Sequence, residues 1–514
     1  MSPQFLDLST ELVIQILAYG SLSDIGACAQ TSRRLYSIIS GSLYLRYLIQ
    51  TKIAGVRDPF LPGLSIHERL SVLKSWERAW HCLDLREPTL QCMVPTDISA
   101  GVLRYEIHGG YLIGTRRFPV DDRPLGYHYV DLHDVVKRGQ ASWNNVDLHQ
   151  SLSMFSYCFN IEDHNLAVML VYNLEERPEP RASLRLMDFG KGSDHPLATT
   201  PNIQLQFGGK PINIYDAYDA HMEVAGDNII VMITQARALP DHMFLVGWKS
   251  GTVSLILTAP DLTYAASFAL INTELLALVN LRTNTLDVHR IPEGGSCVLQ
   301  RVGQLSLPFS QTGIPSLSAS FQPVHPYPPL YSSRRCLPFH PSPDACLVGL
   351  TAIAAAQDGT MTFYWLAIRP DYLCSIADAK QDSDSDRPTS WETWSLRTAC
   401  CFEIEHLLAA PIPAGARWLV DSQSLVVREF GLSRSRKIQA DQRTHYGGIV
   451  DNNVPREEHQ DVFASQLPYC DVEVRMGEKK YQSVIADYEW VVGMNDEGGG
   501  FSGTIHYIDI HHVV

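Results

Sequence analysis

From about Gly101 onward the chain is written in short apolar runs fenced by turn residues: GGYLIGTRR, NLAVMLVYN, DNIIVMITQ, HMFLVGW, ELLALVNL, CLVGLTAIAAA, ARWLVDS and YQSVIADYEWVVGM. Runs of this length suit strands. No helical span lies between them to carry parallel crossovers, so the pattern predicts an all-β domain of antiparallel hairpins. One local signature recurs: SGTVSL at Ser250, TNTLDV at Thr283, DGTMTF at Asp358 and SGTIHY at Ser502 each join a turn pair to a Thr-led strand. Gly251 and Gly359 can accept the positive φ of a tight hairpin. Repetition of one hairpin implies repeated sheets, and the expected fold is an irregular β-propeller of about six to eight blades, with stacked β-sandwiches as the alternative. The final TIHYIDIHHV strand would seal the ring against a strand near residue 105, because a bare sheet edge invites association.

The first hundred residues follow a helical period instead. Ser9 can cap a helix whose first turn carries Glu11, and Gly20 offers a left-handed stop. Within it Leu12, Val13, Ile16 and Leu17 fall at i, i+1, i+4 and i+5, one broad apolar face. A second helix from Ser23, with Asp24 in its first turn, aligns Ile25, Cys28, Ser32, Leu35 and Ile39. A third takes Leu43 to Ile49. Leu8, Leu12, Ile16, Leu17, Leu22 and Ile25 cannot all point into so small a centre, and the surplus predicts a protein-docking surface. Beyond it, SIHE is a capping box of Ser65 and Glu68, followed at helical spacing by Ile66, Leu70, Leu73, Trp76 with Glu77, and Trp80. The predicted organisation is α+β multidomain: a small three-helix head at residues 5–50, a linker with a helix at 51–98, and a large all-β domain at 99–514.

Charge narrows the partners. Against 41 basic side chains stand 56 acidic ones, a formal charge of −15, which disfavours nucleic acid and anionic membranes as general partners. No run reaches the ~18 apolar residues of a membrane helix; Leu347 to Ala356 is broken by Gly349 and Thr351. The opening MSPQFLDLSTELV carries Asp7 and Glu11 and no basic segment, unlike a signal peptide. The 11 cysteines are odd in number, without a C-x-x-C pair, and no N-x-S/T sequon occurs. Reduced thiols and an intracellular location, cytoplasmic or nuclear, are expected. Cys400 and Cys401 read as ordinary strand residues.

Sites of chemistry are scarce. GGGFSG fits G-x-G-x-x-G through Gly498, Gly500 and Gly503, but a strand follows where pyrophosphate needs a helix N-terminus. Asp382, Asp384 and Asp386 begin like a calcium loop, yet Arg387 and Thr393 occupy the positions that demand Gly and Glu. His511 and His512 are strand neighbours pointing to opposite faces, and no third metal ligand stands out. No catalytic triad, nucleophile elbow or phosphate loop is present. Neither a catalytic residue, a metal nor a cofactor is expected. PPLY at Pro328 to Tyr331 suits a WW-type groove, and Arg434, Arg436 and Lys437 could grip an acidic or phosphorylated peptide.

In order and spacing, LSTELVIQIL, LSDI and TSRRLY resemble the F-box, whose pattern runs Leu-Pro-x-Glu-Leu, two variable residues, Ile-Leu, then Leu-x-Asp-Leu and a Val/Thr-Ser/Cys-Arg-Arg-aromatic segment. Ser9 stands where that family usually has Pro, and Leu35 where it often has an aromatic. The resemblance implies a docking module for the Skp adaptor of Skp–cullin–F-box ubiquitin ligases, contacted through Leu8, Ser9, Leu12, Ile16, Leu17, Leu22 and Ile25. The linker helix is similar to one found after the F-box in many fungal members. The Thr-led hairpins resemble the outer hairpin of WD-repeat blades, although Thr252, Thr285, Thr360 and Thr504 are unevenly spaced and no Gly-His or Trp-Asp signature accompanies them. Together these imply a non-catalytic substrate-recognition adaptor, its head on the Skp adaptor and through it the cullin, its β-domain on a target protein of unknown identity. A scaffold outside any ligase is the alternative.

Overall fold

A computed structural model of the protein describes residues 7–58, 63–94, 102–116, 126–148, 152–173, 181–207, 210–212, 217–235, 240–259, 264–292, 298–308, 316–322, 339–342, 346–355, 361–379, 387–396, 398–404, 412–414, 417–420, 426–430, 469–474, 481, 483–487, 489–495, 505 and 507–513. Among these residues the apolar runs form seven four-stranded antiparallel sheets. In chain order, six of them lie within 102–147, 152–204, 217–259, 264–306, 316–404 and 412–473, each a meander whose strands neighbour in the order they are made. The seventh combines strands Ser483–Ala486, Trp490–Asn495 and Tyr507–His512 with Leu90–Met93.

Continuous apolar runs arise because both faces of a blade are covered. In strand Leu166–Asn173, Leu166, Val168 and Leu170 pack toward the third blade, while Ala167, Met169 and Val171 face the first. Strand Leu275–Asn280 repeats the division: Leu275, Ala277 and Val279 face the fifth blade, and Leu276 and Leu278 the third. Seven such apolar seams join consecutive blades, the last setting Trp490, Val492 and Ile510 against Tyr105, Leu112 and Val130 of the first. Sheets joined seam to seam without a gap form a closed β-propeller, within the expected range of blades.

Closure differs from expectation in its partner. The last strand pairs with Leu90–Met93, Leu90 opposite Ile510 and Cys92 opposite Ile508. Val102–His108, which contains the expected position near 105, is the first strand of the first blade. The ring therefore begins ahead of the 98/99 boundary. LQCM is too short a run to announce itself; the open edge of the last sheet recruits it. The recurrent hairpins are also not equivalent. Ser250–Thr252 turns into the fourth strand of its blade, whereas those leading to Thr285–Arg290, Met361–Ile368 and Tyr507–His512 turn into the third.

The head contains four helices, α1 (Thr10–Tyr19), α2 (Leu22–Thr31), α3 (Arg33–Gly41) and α4 (Leu43–Ala54). The expected second helix breaks at Ser32, whose backbone turns extended (φ −150°, ψ 132°) while its hydroxyl accepts from Arg34 N at 3.2 Å. Gly20 ends α1 extended, at φ −72°, and the left-handed cap is instead Gly55 after α4, at φ 65°. Helix α5 (Ile66–His81) carries the expected capping box: Ser65 N donates to Glu68 Oε2 at 2.7 Å, and Glu68 N to Ser65 Oγ at 3.3 Å.

Leu70, Leu73, Trp76 and Trp80 of α5 bury against Tyr47 and Ala54 of α4 on one side and Val427, Val484 and Val491 of the last two blades on the other. Glu77, set among these apolar residues, meets Arg417 of the sixth blade at 2.8 Å, and the guanidinium lies 4.4 Å from the Trp76 ring centre. A second tie is a short antiparallel pair: Val56–Arg57 pairs with His340–Pro341, and Ser342 N donates to Gly55 O at 2.8 Å. The head is thus mounted on the ring.

His289 of strand Thr285–Arg290 is 4% exposed, and among the described residues neither ring nitrogen has a hydrogen-bond partner. Burial, aided by the nearby Arg301 guanidinium, pushes its pKa down to about 4 from 6.5. The ring stays neutral in the fold and takes up a proton when the chain unfolds. Its stabilisation is complete above about pH 6.5 and is lost toward pH 4, at about 1.4 kcal/mol per unit. Melting at pH 7 and pH 5 should show a drop that His289→Phe reduces; an equal drop in both would refute this assignment.

Candidate docking face of the helical head

Ser9 starts α1 from an extended conformation, its hydroxyl accepting from Leu12 N at 3.5 Å. At 100° per residue, Val13 and Leu17 turn inward onto Ile25, Leu35, Ile39 and Leu45. Leu12, Ile16 and Tyr19, at i, i+4 and i+7, then fall on the adjoining outward flank, where they are 47%, 48% and 93% exposed. This stripe is held at both ends. Arg34 Nη2 donates to Leu8 O at 3.3 Å, and Lys52 Nζ of α4 donates to Gly20 O at 2.5 Å. Next to it α2 begins in a capping box: Asp24 N donates to Ser21 Oγ at 3.1 Å, and Ser21 N to Asp24 Oδ2 at 2.9 Å. The Ser21 hydroxyl and then its N–H hold the Asp24 carboxyl below its ordinary pKa.

Of the seven residues expected at the contact, Ser9, Leu12 and Ile16 are exposed and Leu8 and Leu22 are half-buried beside them. Leu17 and Ile25 are corrections. Both are buried in the head's own core, at 5% and 2% exposure, because a four-helix head absorbs the inner half of the broad face. Tyr19 was not anticipated, though its i+7 spacing from Leu12 could have found it. Leu35, at the usually aromatic position, is a core residue. An exposed apolar stripe on a fixed helix offers complementarity to another protein rather than a reaction.

Arg434, Arg436 and Lys437, the three aspartates Asp382, Asp384 and Asp386, the PPLY segment and the GGGFSG run lie outside the described residues. Cys400 and Cys401 are buried strand residues. Among the described residues no helix is long and apolar enough to cross a membrane. His511 and His512 do diverge: His511 Nε2 meets the Tyr481 hydroxyl at 3.1 Å, while His512 turns to the other face. There it meets two side chains that the sequence did not associate with it. His133 Nε2 lies 3.3 Å from Glu489 Oε2, and His512 Nε2 3.2 Å from Glu489 Oε1. Burial pushes the Glu489 carboxyl up, but its contacts with the two imidazoles outweigh that and hold it down to about 2.

No curated protein matches the sequence. Among solved structures the chain is similar to an oligogalacturonate lyase in complex with manganese, at 10% identity over 82% of this chain and 92% of the lyase, with a TM-score of 0.42. It is also similar to a puromycin-hydrolyzing peptidase of Mycobacterium tuberculosis (11% identity, 82% of this chain and 56% of that one, TM-score 0.33). A third likeness is to a putative 6-phosphogluconolactonase from Bacteroides uniformis (10% identity, 76% and 86%, TM-score 0.31). Likenesses this distant carry no functional argument. The helical head is another matter: residues 6–50 match the F-box-like family model, so the chain carries an F-box-like domain ahead of a β-propeller.

Proposed function

We propose that the chain is a non-catalytic substrate-recognition subunit of a Skp–cullin–F-box ubiquitin ligase. Its head binds the Skp adaptor and, through it, the cullin, and its propeller holds a target protein. The observation that carries this reading is the exposed Leu12–Ile16–Tyr19 stripe within an F-box-like domain. The mounting of α5 supports it further, because ubiquitin transfer to a bound target requires a defined distance between adaptor and target, and the buried Glu77–Arg417 pair ties the helix to the ring.

The test is reconstitution. The purified full chain is mixed with the Skp adaptor and then with the cullin and its RING partner, and the mixture is resolved by size-exclusion chromatography. One complex containing all components in equal amounts is expected. Retention of the adaptor without the cullin would favour a scaffold outside the ligase, and failure to retain the adaptor would refute the docking role.

A further inference from the structure

We infer that His133, Glu489 and His512 form a zinc site that staples the closing blade of the propeller to its first. His133 stands in the first turn of α6 (Leu132–Arg138), which follows the third strand of the first blade. Glu489 sits in the turn before strand Trp490–Asn495, and His512 ends the last strand. Their donor atoms lie within 4.8 Å of one another. The inference is independent of the ligase reading.

Donor chemistry selects the metal. Two imidazole nitrogens and one carboxylate suit borderline transition ions, above all zinc, whereas magnesium and calcium favour oxygen shells. Zinc–ligand bonds of about 2.0–2.1 Å put neighbouring ligands of a tetrahedron roughly 3.3 Å apart. The two nitrogen–oxygen separations, 3.3 Å to Oε2 and 3.2 Å to Oε1, are of this size, and with the donor atoms within 4.8 Å of one another the two imidazoles would draw together around one ion. An ion pair accounts for the His512 contact, which has hydrogen-bond geometry. The His133 contact is an approach of the same length, its Nε2 facing the second carboxylate oxygen at 3.3 Å.

Each ligand is positioned by its surroundings. His133 N donates to Asp131 Oδ1 at 3.0 Å, and Asp487 Oδ1 accepts from Glu489 N at 2.8 Å. The His512 ring stacks on Trp490 at 4.4 Å, and the His133 ring meets the same indole edge-on at 5.0 Å. Supports of this kind set ligand orientation before a metal arrives. The His133 and His512 side chains remain 37% and 27% exposed, so the rings are reached from solvent. Also, His512 N donates to Thr89 Oγ1 at 3.0 Å, beside the strand that closes the ring. A metal here would tie that closure to the first blade.

The full chain, stripped with chelator, is titrated with Co²⁺ while its visible absorption is followed, and then with Zn²⁺ as competitor. One tetrahedral Co²⁺ per chain, displaced by Zn²⁺, and a Zn²⁺-dependent rise in melting temperature are expected. His133→Ala or His512→Ala should weaken binding by on the order of 100-fold or more, while exposed His67→Ala should leave it unchanged. If a histidine variant does not fold, Glu489→Gln reads the same site. Absence of tetrahedral Co²⁺ bands in the parent, or equal bands in folded His133→Ala/His512→Ala, would overturn the proposal.

Discussion

Aspartate at positions 12 and 16 is expected to abolish capture of the Skp adaptor while leaving the fold intact. Leu12 and Ile16 are about half exposed and make no part of the head's core, so the substitutions should change folding stability by no more than about 0.5 kcal/mol. Docking would cover them, and a carboxylate buried without a partner costs several kcal/mol, on the order of a 1,000-fold loss in affinity. The contrasting substitution is Val13→Asp. Val13 is fully buried one residue away, and a charge there should unfold the head itself. Calorimetric titration of the adaptor, with melting curves alongside, separates the two effects. Undiminished binding by Leu12→Asp/Ile16→Asp would remove the basis for the ligase reading.

The second large effect concerns the mount. Arg417 and Glu77 are 3% and 5% exposed, so Arg417→Ala leaves a carboxylate in an apolar seam and also removes a cation from the Trp76 and Trp80 rings. A loss of about 3–5 kcal/mol is expected at this seam. Hydrogen exchange should report it as lost protection of the α5 amides, with the distant strands of the third blade unaffected. The paired replacement Glu77→Leu/Arg417→Met should restore most of that protection, because it removes both buried charges together. Wild-type protection of α5 in Arg417→Ala would mean that the pair does not anchor the linker.

Much of the architecture is legible in the chain because it rests on neighbours in sequence. Ser9 and Ser65 cap helices through residues three positions on, and these contacts form in any surroundings that permit a helix; the second helix, expected from Ser23, is instead capped two residues earlier by Ser21. The β-runs are legible too, since strand propensity and turn chemistry are local. The docking stripe was read less well. Periodicity identifies a broad apolar face on α1 but not which half turns inward, and the contact set that the resemblance implies includes Leu17 of α1 and Ile25 of α2, both core residues, and omits Tyr19. That division follows from the packing of α1 against α3 and α4.

The strands, the caps at Ser9 and Ser65 and the apolar surplus on α1 followed from the sequence by itself, because each depends on residues within a turn or two of one another. Tertiary structure alone decided how the ring is sealed, which blades hold α5, and that His133, Glu489 and His512 share one point. The reason is geometric. Closing a propeller brings together residues near both ends of the chain, and no local pattern records which strand will meet the last open edge.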